Sequence, residues 1–76
     1  MKELTQMIVQ RLVDRPEEVT ITETGSESTV ILEISVAKEE IGFVIGKKGR
    51  IINSIRNIMN AAGKKLGKKV IVAIKE

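Results

Sequence analysis

Apolar residues return along this chain with two different periods. Leu4, Met7, Ile8 and Leu12 recur every three or four positions, which predicts an amphipathic helix over residues 2–13. Asp14-Arg15-Pro16 should end it, because the residue ahead of a proline avoids helical backbone. The period then drops to two. Val19 and Ile21 alternate with Glu18, Thr20 and Thr22, the pattern of a strand with one wet face. "TGSES", residues 24–28, is expected to turn. Residues 29–36 predict a second strand, with Val30, Leu32, Ile34 and Val36 on one face and Ile31 on the other. Apolar residues on both faces mark a central strand.

Helical spacing then resumes. Glu39 and Glu40 should open a short helix, where acids suit the positive end of the helix dipole. Ile41, Val44 and Ile45 form its apolar side and Gly46 stops it. A longer helix follows Gly49. Ile51, Ile52, Ile55, Ile58, Met59 and Ala62 make its apolar stripe, and Arg50, Asn53, Ser54, Arg56, Asn57 and Asn60 its polar side. It should end between Gly63 and Gly67, with Lys64 and Lys65 at its negative end. Residues 69–75 predict a last strand with Val70, Val72 and Ile74 inward. The order is α-β-β-α-α-β. The first two strands should form an antiparallel hairpin, and the third should return parallel to the second by a right-handed crossover. The fold class is α+β, a three-stranded mixed sheet covered on one face by three helices.

A length of 76 residues gives room for a single domain, residues 1–76. The chain has no Cys and no His, which excludes disulfides and the usual zinc sets. With no Tyr either, general bases and nucleophiles are scarce, and the acids lie at turns and a helix start where capping explains them. An enzyme, a metal site and a cofactor are not expected. No apolar run approaches the roughly 20 residues of a membrane span, and no leader peptide is visible, so the expected location is the cytoplasm. The net charge of +3 hides a division. Residues 1–46 hold four Lys/Arg against nine Asp/Glu, and residues 47–76 hold nine against one. Such asymmetry points to an anionic partner met by one side of the domain.

The positive half begins at Gly46-Lys47-Lys48-Gly49. Two glycines let the chain turn sharply between helices and let a ligand approach the main chain. The following helix aims its N-terminal amides and dipole at whatever lies over the turn, and these favour an anion. Lys47 and Lys48 stand at the tip, with Arg50 in the next turn. This is not a nucleotide loop of the Walker kind, which has four residues between its glycines and then Lys and Ser/Thr. It is not a dinucleotide fingerprint either, because the third glycine and the preceding strand are missing.

The extended pattern is Val44-Ile45, then the GKKG tetrapeptide, then Ile52 and Ile55, with Ile41-Gly42 ahead. It resembles the signature of the KH (K-homology) domain, a module that binds RNA. The element order is similar to the type II, bacterial variant. The likeness covers nearly the whole chain and is nearest to small stand-alone bacterial KH proteins of the KhpA type. The resemblance implies single-stranded RNA as partner, about four nucleotides of it, and a role as RNA chaperone or post-transcriptional regulator. It implies that Gly46, Lys47, Lys48 and Gly49 hold the sugar-phosphate backbone. Arg50 and Arg56 would add phosphate contacts, and Ile41, Ile45 and Ile52 would line an apolar groove as well as core. The segment 63–69 stands in the place of the family's variable loop, and its four lysines, Lys64, Lys65, Lys68 and Lys69, would extend the contact. It also implies a homodimer, and pairing with a larger KH-containing protein of the KhpB type.

Phe43, the one aromatic, departs from the polar or basic residue common at this position in the family. Three readings stand for it: it tucks back onto the helix pair, stacks on a base, or anchors a protein partner. The alternative function is a protein-interaction module that uses the same basic helix-loop-helix side.

Overall fold

A computed structural model describes residues 1–76. Helix α1 covers Lys2–Gln10, strand β1 Thr20–Gly25 and strand β2 Thr29–Ser35. Helix α2 covers Ile41–Ile45, helix α3 Arg50–Lys65 and strand β3 Lys69–Ile74. The strands lie in the order β1-β2-β3, with β1 antiparallel and β3 parallel to the central β2. The expected α+β architecture, a mixed sheet under three helices, is what forms. The alternation in β2 and β3 explains it: Val30, Leu32, Ile34, Val70 and Val72 are all buried on the helix side. Val9 of α1, Val44 of α2 and Ile52, Ile55 and Met59 of α3 close over them in one core. The other face of the sheet stays open, with Ile31 and Ile71 directly opposite each other on it.

Several boundaries differ from the sequence expectation, each for a physical reason. Helix α1 stops at Gln10 rather than near Val13. A longer helix would send the amides of Asp14 and Arg15 to carbonyls one turn back. They donate instead to the carboxylate of Glu40, at 2.7 and 3.1 Å. Glu40 is therefore 5 % exposed and bound to the α1 exit, and no side chain caps α2. Its neighbour Glu39 pairs with Arg15 at 3.0 Å. Strand β1 runs on to Gly25, so the turn shortens to residues 26–28. Gly25 has φ +127 and lies against the carbonyl of Thr29, a place where a side chain would collide.

The stripe of α3 is narrower than its sequence suggests. Ile52, Ile55, Met59 and Gly63 follow at spacings of three, four and four and are buried. Ile51 and Ile58 each precede a core residue and lie on the flank; Ile51 is half-buried, and Ile58 keeps 47 % of its surface exposed. The helix passes through Gly63 because β3 approaches it closely: a Cβ there would stand 2.6 Å from Val70 and 2.7 Å from the Lys68 carbonyl. A buried polar residue was missed in α1. Thr5 donates to the Met1 carbonyl at 2.9 Å, with the sulfur of Met59 at 3.0 Å.

Candidate nucleic-acid interface

The α2–α3 corner is built from behind. Val44 is fully buried and fixes α2, with Ile41 and Ile45 half-buried at its sides. The chain then leaves the helix at Gly46, whose φ of 76 and ψ of 173 only glycine adopts readily. A Cβ at Gly46 would also stand 2.6 Å from the side chain of Ile51. Lys47–Gly49 form one tight turn, closed by the Gly49 amide donating to the Gly46 carbonyl at 3.1 Å. Gly49 enters α3 with φ +75, and a Cβ there would meet Asn53 and Ile52 only at ordinary contact distance, 3.8 and 3.9 Å.

Lys48 is the exception in this backbone. Its φ is +58, and it is the one non-glycine residue of the chain with positive φ. An L-residue loses roughly 1–2 kcal/mol in that region, and Asn or Gly would be the ordinary occupants. Lys47, Lys48 and Arg50 are all exposed, and none takes part in an ion pair. No side chain caps the N-terminus of α3. Three cations, a strained backbone and the positive end of a 16-residue helix therefore face solvent together.

The residues singled out from the sequence fall into three places. Gly46, Lys47, Lys48, Gly49 and Arg50 are together at the loop. Phe43, on α2, keeps 47 % of its surface exposed and lies outside the core. Ile41 and Ile45 are accessible in part, whereas Ile52 is 5 % exposed and belongs to the core. Arg56 lies halfway along α3 and reaches across to the sheet. Its Nε donates to the Val72 carbonyl at 3.2 Å and a terminal nitrogen donates to Asn53 Oδ1 at 3.3 Å. Lys64 and Lys65 are exposed at the far end of α3. There Lys64 joins Asn60, Gly67, Lys68 and Lys69 around a cleft of about 390 Å³. Lys68 and Lys69 belong to the lysine-bearing segment singled out from the sequence, whereas Asn60 and Gly67 were not singled out as contacts. No group of His, Cys, Asp and Glu side chains is placed to hold a metal ion, and no helix is long and apolar enough to cross a membrane.

A G-x-x-G turn between two helices, on an α-β-β-α-α-β chain with the last strand parallel to the central one, defines a type II KH domain. Comparison with known proteins is in accord. The family described as "KhpA/KhpB, KH domain" matches residues 2–74, and the chain belongs to it. It is 49 % identical over 74 residues to the RNA-binding protein KhpA of Clostridium perfringens, covering 97 % of this chain and 99 % of that one. The RNA-binding protein KhpA of Listeria monocytogenes is 45 % identical over 76 residues, with all of both chains covered. That of Aquifex aeolicus is 41 % identical over 76 residues, covering all of this chain and 96 % of the relative. No solved structure matches.

Proposed function

We propose that this chain binds single-stranded RNA as a single KH domain, with the sugar-phosphate backbone of about four nucleotides laid over Gly46–Gly49. The observation that carries the reading is Lys48, an exposed lysine kept at φ +58 between two glycines and at the head of an uncapped helix. A turn alone gains nothing from a lysine there; a phosphate clamp gains a charge beside free main chain. The relatives' shared name, RNA-binding protein KhpA, supports the same partner. Lys47 and Arg50 add charge to the clamp, and the half-buried Ile41 and Ile45 border it. Binding by one such module is weak and salt-sensitive, because few phosphates are neutralised. With one aromatic in the chain, stacking contributes little and sequence preference is loose.

Weak modules gain from pairing. The reading therefore includes a homodimer, and association with a larger KH protein of the KhpB type, acting on cytoplasmic RNA as a chaperone or post-transcriptional regulator. The exposed Phe43 and Ile58 support pairing by offering apolar surface on the α2–α3 side. Fluorescence anisotropy with short labelled RNAs tests the clamp. The native chain should bind, and Lys47→Asp/Lys48→Asp should not, with circular dichroism unchanged. Equal binding by both reduces the loop to a turn. If the basic side serves a protein instead, homopolymer RNA will fail to displace that partner.

A further inference from the structure

The two free edges of the sheet are not alike. On β3, the amides of Lys69 and Lys75 donate to the carbonyls of Ser28 and Ile34, at 2.9 and 2.8 Å. The alternate residues Val70, Val72 and Ile74 therefore turn their main chain outward. That edge is guarded. Arg56 Nε donates to the Val72 carbonyl at 3.2 Å, and Lys68, Lys69 and Lys75 flank the strand. Side chains of this kind keep an edge from pairing with another chain. On β1, the Ser26 amide donates to the Thr29 carbonyl at 2.8 Å, which sets the phase of the antiparallel ladder. Thr24, Thr22 and Thr20 follow in bonded pairs with Ile31, Glu33 and Ser35. The main-chain groups of Ile21, Glu23 and Gly25 then turn to the free edge. Ile21 is buried, whereas Glu23, Gly25 and all the threonines of the strand are exposed.

No basic residue, proline or bulge guards this second edge. Residues 17–37 hold five Glu and no Lys, Arg or Pro, and the register of β1 with β2 is one to one. Of these acids Glu18 is paired, with Arg15, whereas Glu17, Glu23, Glu27 and Glu33 take part in no ion pair. The plain explanation is that acids on an edge stop self-pairing. It accounts for a second copy: β1 against another β1 would set Glu23 and Glu27 against the same acids, and like charges across strands repel. The β3 edge of a second copy is closed by Arg56. Neither barrier opposes a strand that carries positive charge.

We propose that the β1 edge is a docking site for a basic, extended segment of a protein partner, which adds to the sheet as a further strand beside Glu23 and Gly25. Main-chain bonds supply the pairing, and lysine or arginine on the added strand meets Glu23 and the acids at either end of β1. The site is on the edge of the sheet opposite β3 and does not rest on the RNA-binding reading. The probe is a labelled peptide of about eight residues, a common strand length, in which lysine alternates with threonine and both ends are capped. Anisotropy should show saturable binding that weakens as salt rises. Glu23→Lys turns an attraction across the strands into a repulsion and should weaken binding about tenfold. Glu23 is exposed, and circular dichroism checks that the variant folds. The same peptide with glutamate for lysine should not bind. A version N-methylated at every amide keeps the charge but cannot donate to β1, and it should not bind either. Amide exchange followed by NMR should show the Glu23 amide slowed by the peptide and the amides of the β3 edge unchanged. Equal binding by the N-methylated peptide, or by Glu23→Lys, reduces the contact to loose charge attraction and overturns strand addition. Slowing of the Glu23 amide without peptide, growing with protein concentration, assigns the edge to a second copy and overturns the basic partner. No binding by the native chain overturns the site. The RNA reading stands or falls separately, since Lys47→Asp/Lys48→Asp should leave the peptide-induced slowing at Glu23 in place.

Discussion

The two glycines of the G-x-x-G turn are not equivalent, and replacing each by alanine should show it. At Gly49, φ +75 and ψ +16 lie in the left-handed helical region, and the nearest atom to a new Cβ is 3.8 Å away. Only the backbone penalty applies, about 1–2 kcal/mol. At Gly46, φ +76 and ψ +173 fall where non-glycine residues hardly occur, a strain of about 1–3 kcal/mol. The new Cβ would also stand 2.6–2.9 Å from three atoms of Ile51. Forcing an extra carbon into packed surroundings adds roughly 1–3 kcal/mol. Gly46→Ala should therefore lose about 2–6 kcal/mol, against a total stability of only about 4–11 kcal/mol for 76 residues. Urea melts followed by circular dichroism suit a chain with no Trp or Tyr. Thermal melts add a second scale: each kcal/mol should lower Tm by about 4–8 °C in a domain of this size, so the mid-range difference of about 2.5 kcal/mol should put Gly46→Ala roughly 10–20 °C below Gly49→Ala. A double-mutant cycle with Ile51→Ala isolates the steric part, which should appear as a coupling of about 1–3 kcal/mol. Equal losses at the two glycines, or no coupling to Ile51, would refute the argument.

Three further outcomes are expected. Lys48→Gly relieves the one strained side-chain-bearing residue, so urea melts should show stability unchanged or raised by up to about 1 kcal/mol, while RNA affinity falls. A clear destabilisation would mean the lysine holds the turn. Glu40→Ala removes the acceptor of two part-buried amides, and should lose up to about 3 kcal/mol at roughly 1.5 per charged hydrogen bond. Denaturation should show Glu39→Ala nearly neutral, since its pair with Arg15 is exposed. Phe43→Ala should leave Tm almost unchanged because the ring is outside the core, yet weaken RNA binding or self-association, as read by anisotropy and sedimentation. A drop in Tm of 10 °C or more, about 2 kcal/mol, would instead make Phe43 a packing residue.

What the sequence disclosed was whatever repeats at short range. Alternation of Val30, Leu32 and Ile34 against Ile31 identified the central strand, and the spacing of Ile52, Ile55 and Met59 identified the long helix. The GKKG tetrapeptide declared itself because its charge and glycines interrupt an apolar run. What stayed hidden depends on partners far along the chain. Glu40 looked like a helix-capping acid, but its carboxylate binds amides 25 and 26 residues away, and that contact also shortens α1. Thr5 carries no signal in the helical pattern, and its burial shows only in the fold, where the Met1 carbonyl and the Met59 sulfur lie beside its hydroxyl. Ile58 counted as stripe because periodicity does not say how wide the covered face is. The lysines after Gly63 were visible, but their cleft exists only once β3 begins beside Asn60. Nothing in the letters around Lys48 gives the sign of its φ.

These facts divide the corner into a front and a back. The back holds position: Val44 buried, Glu40 tied to the α1 exit, Gly46 seated against Ile51. The front carries charge: Lys47, Lys48 and Arg50, all exposed and unpaired. Substitutions behind the turn should change stability and RNA affinity together, because they move the main chain that a phosphate meets. Substitutions in front should change affinity alone. Lys48 sharpens the distinction: its backbone strain opposes folding, and its side chain joins none of the three ion pairs of the protein. Under the proposed clamp, the strain at Lys48 is offset only on binding, when a phosphate meets the lysine and the free main chain beside it.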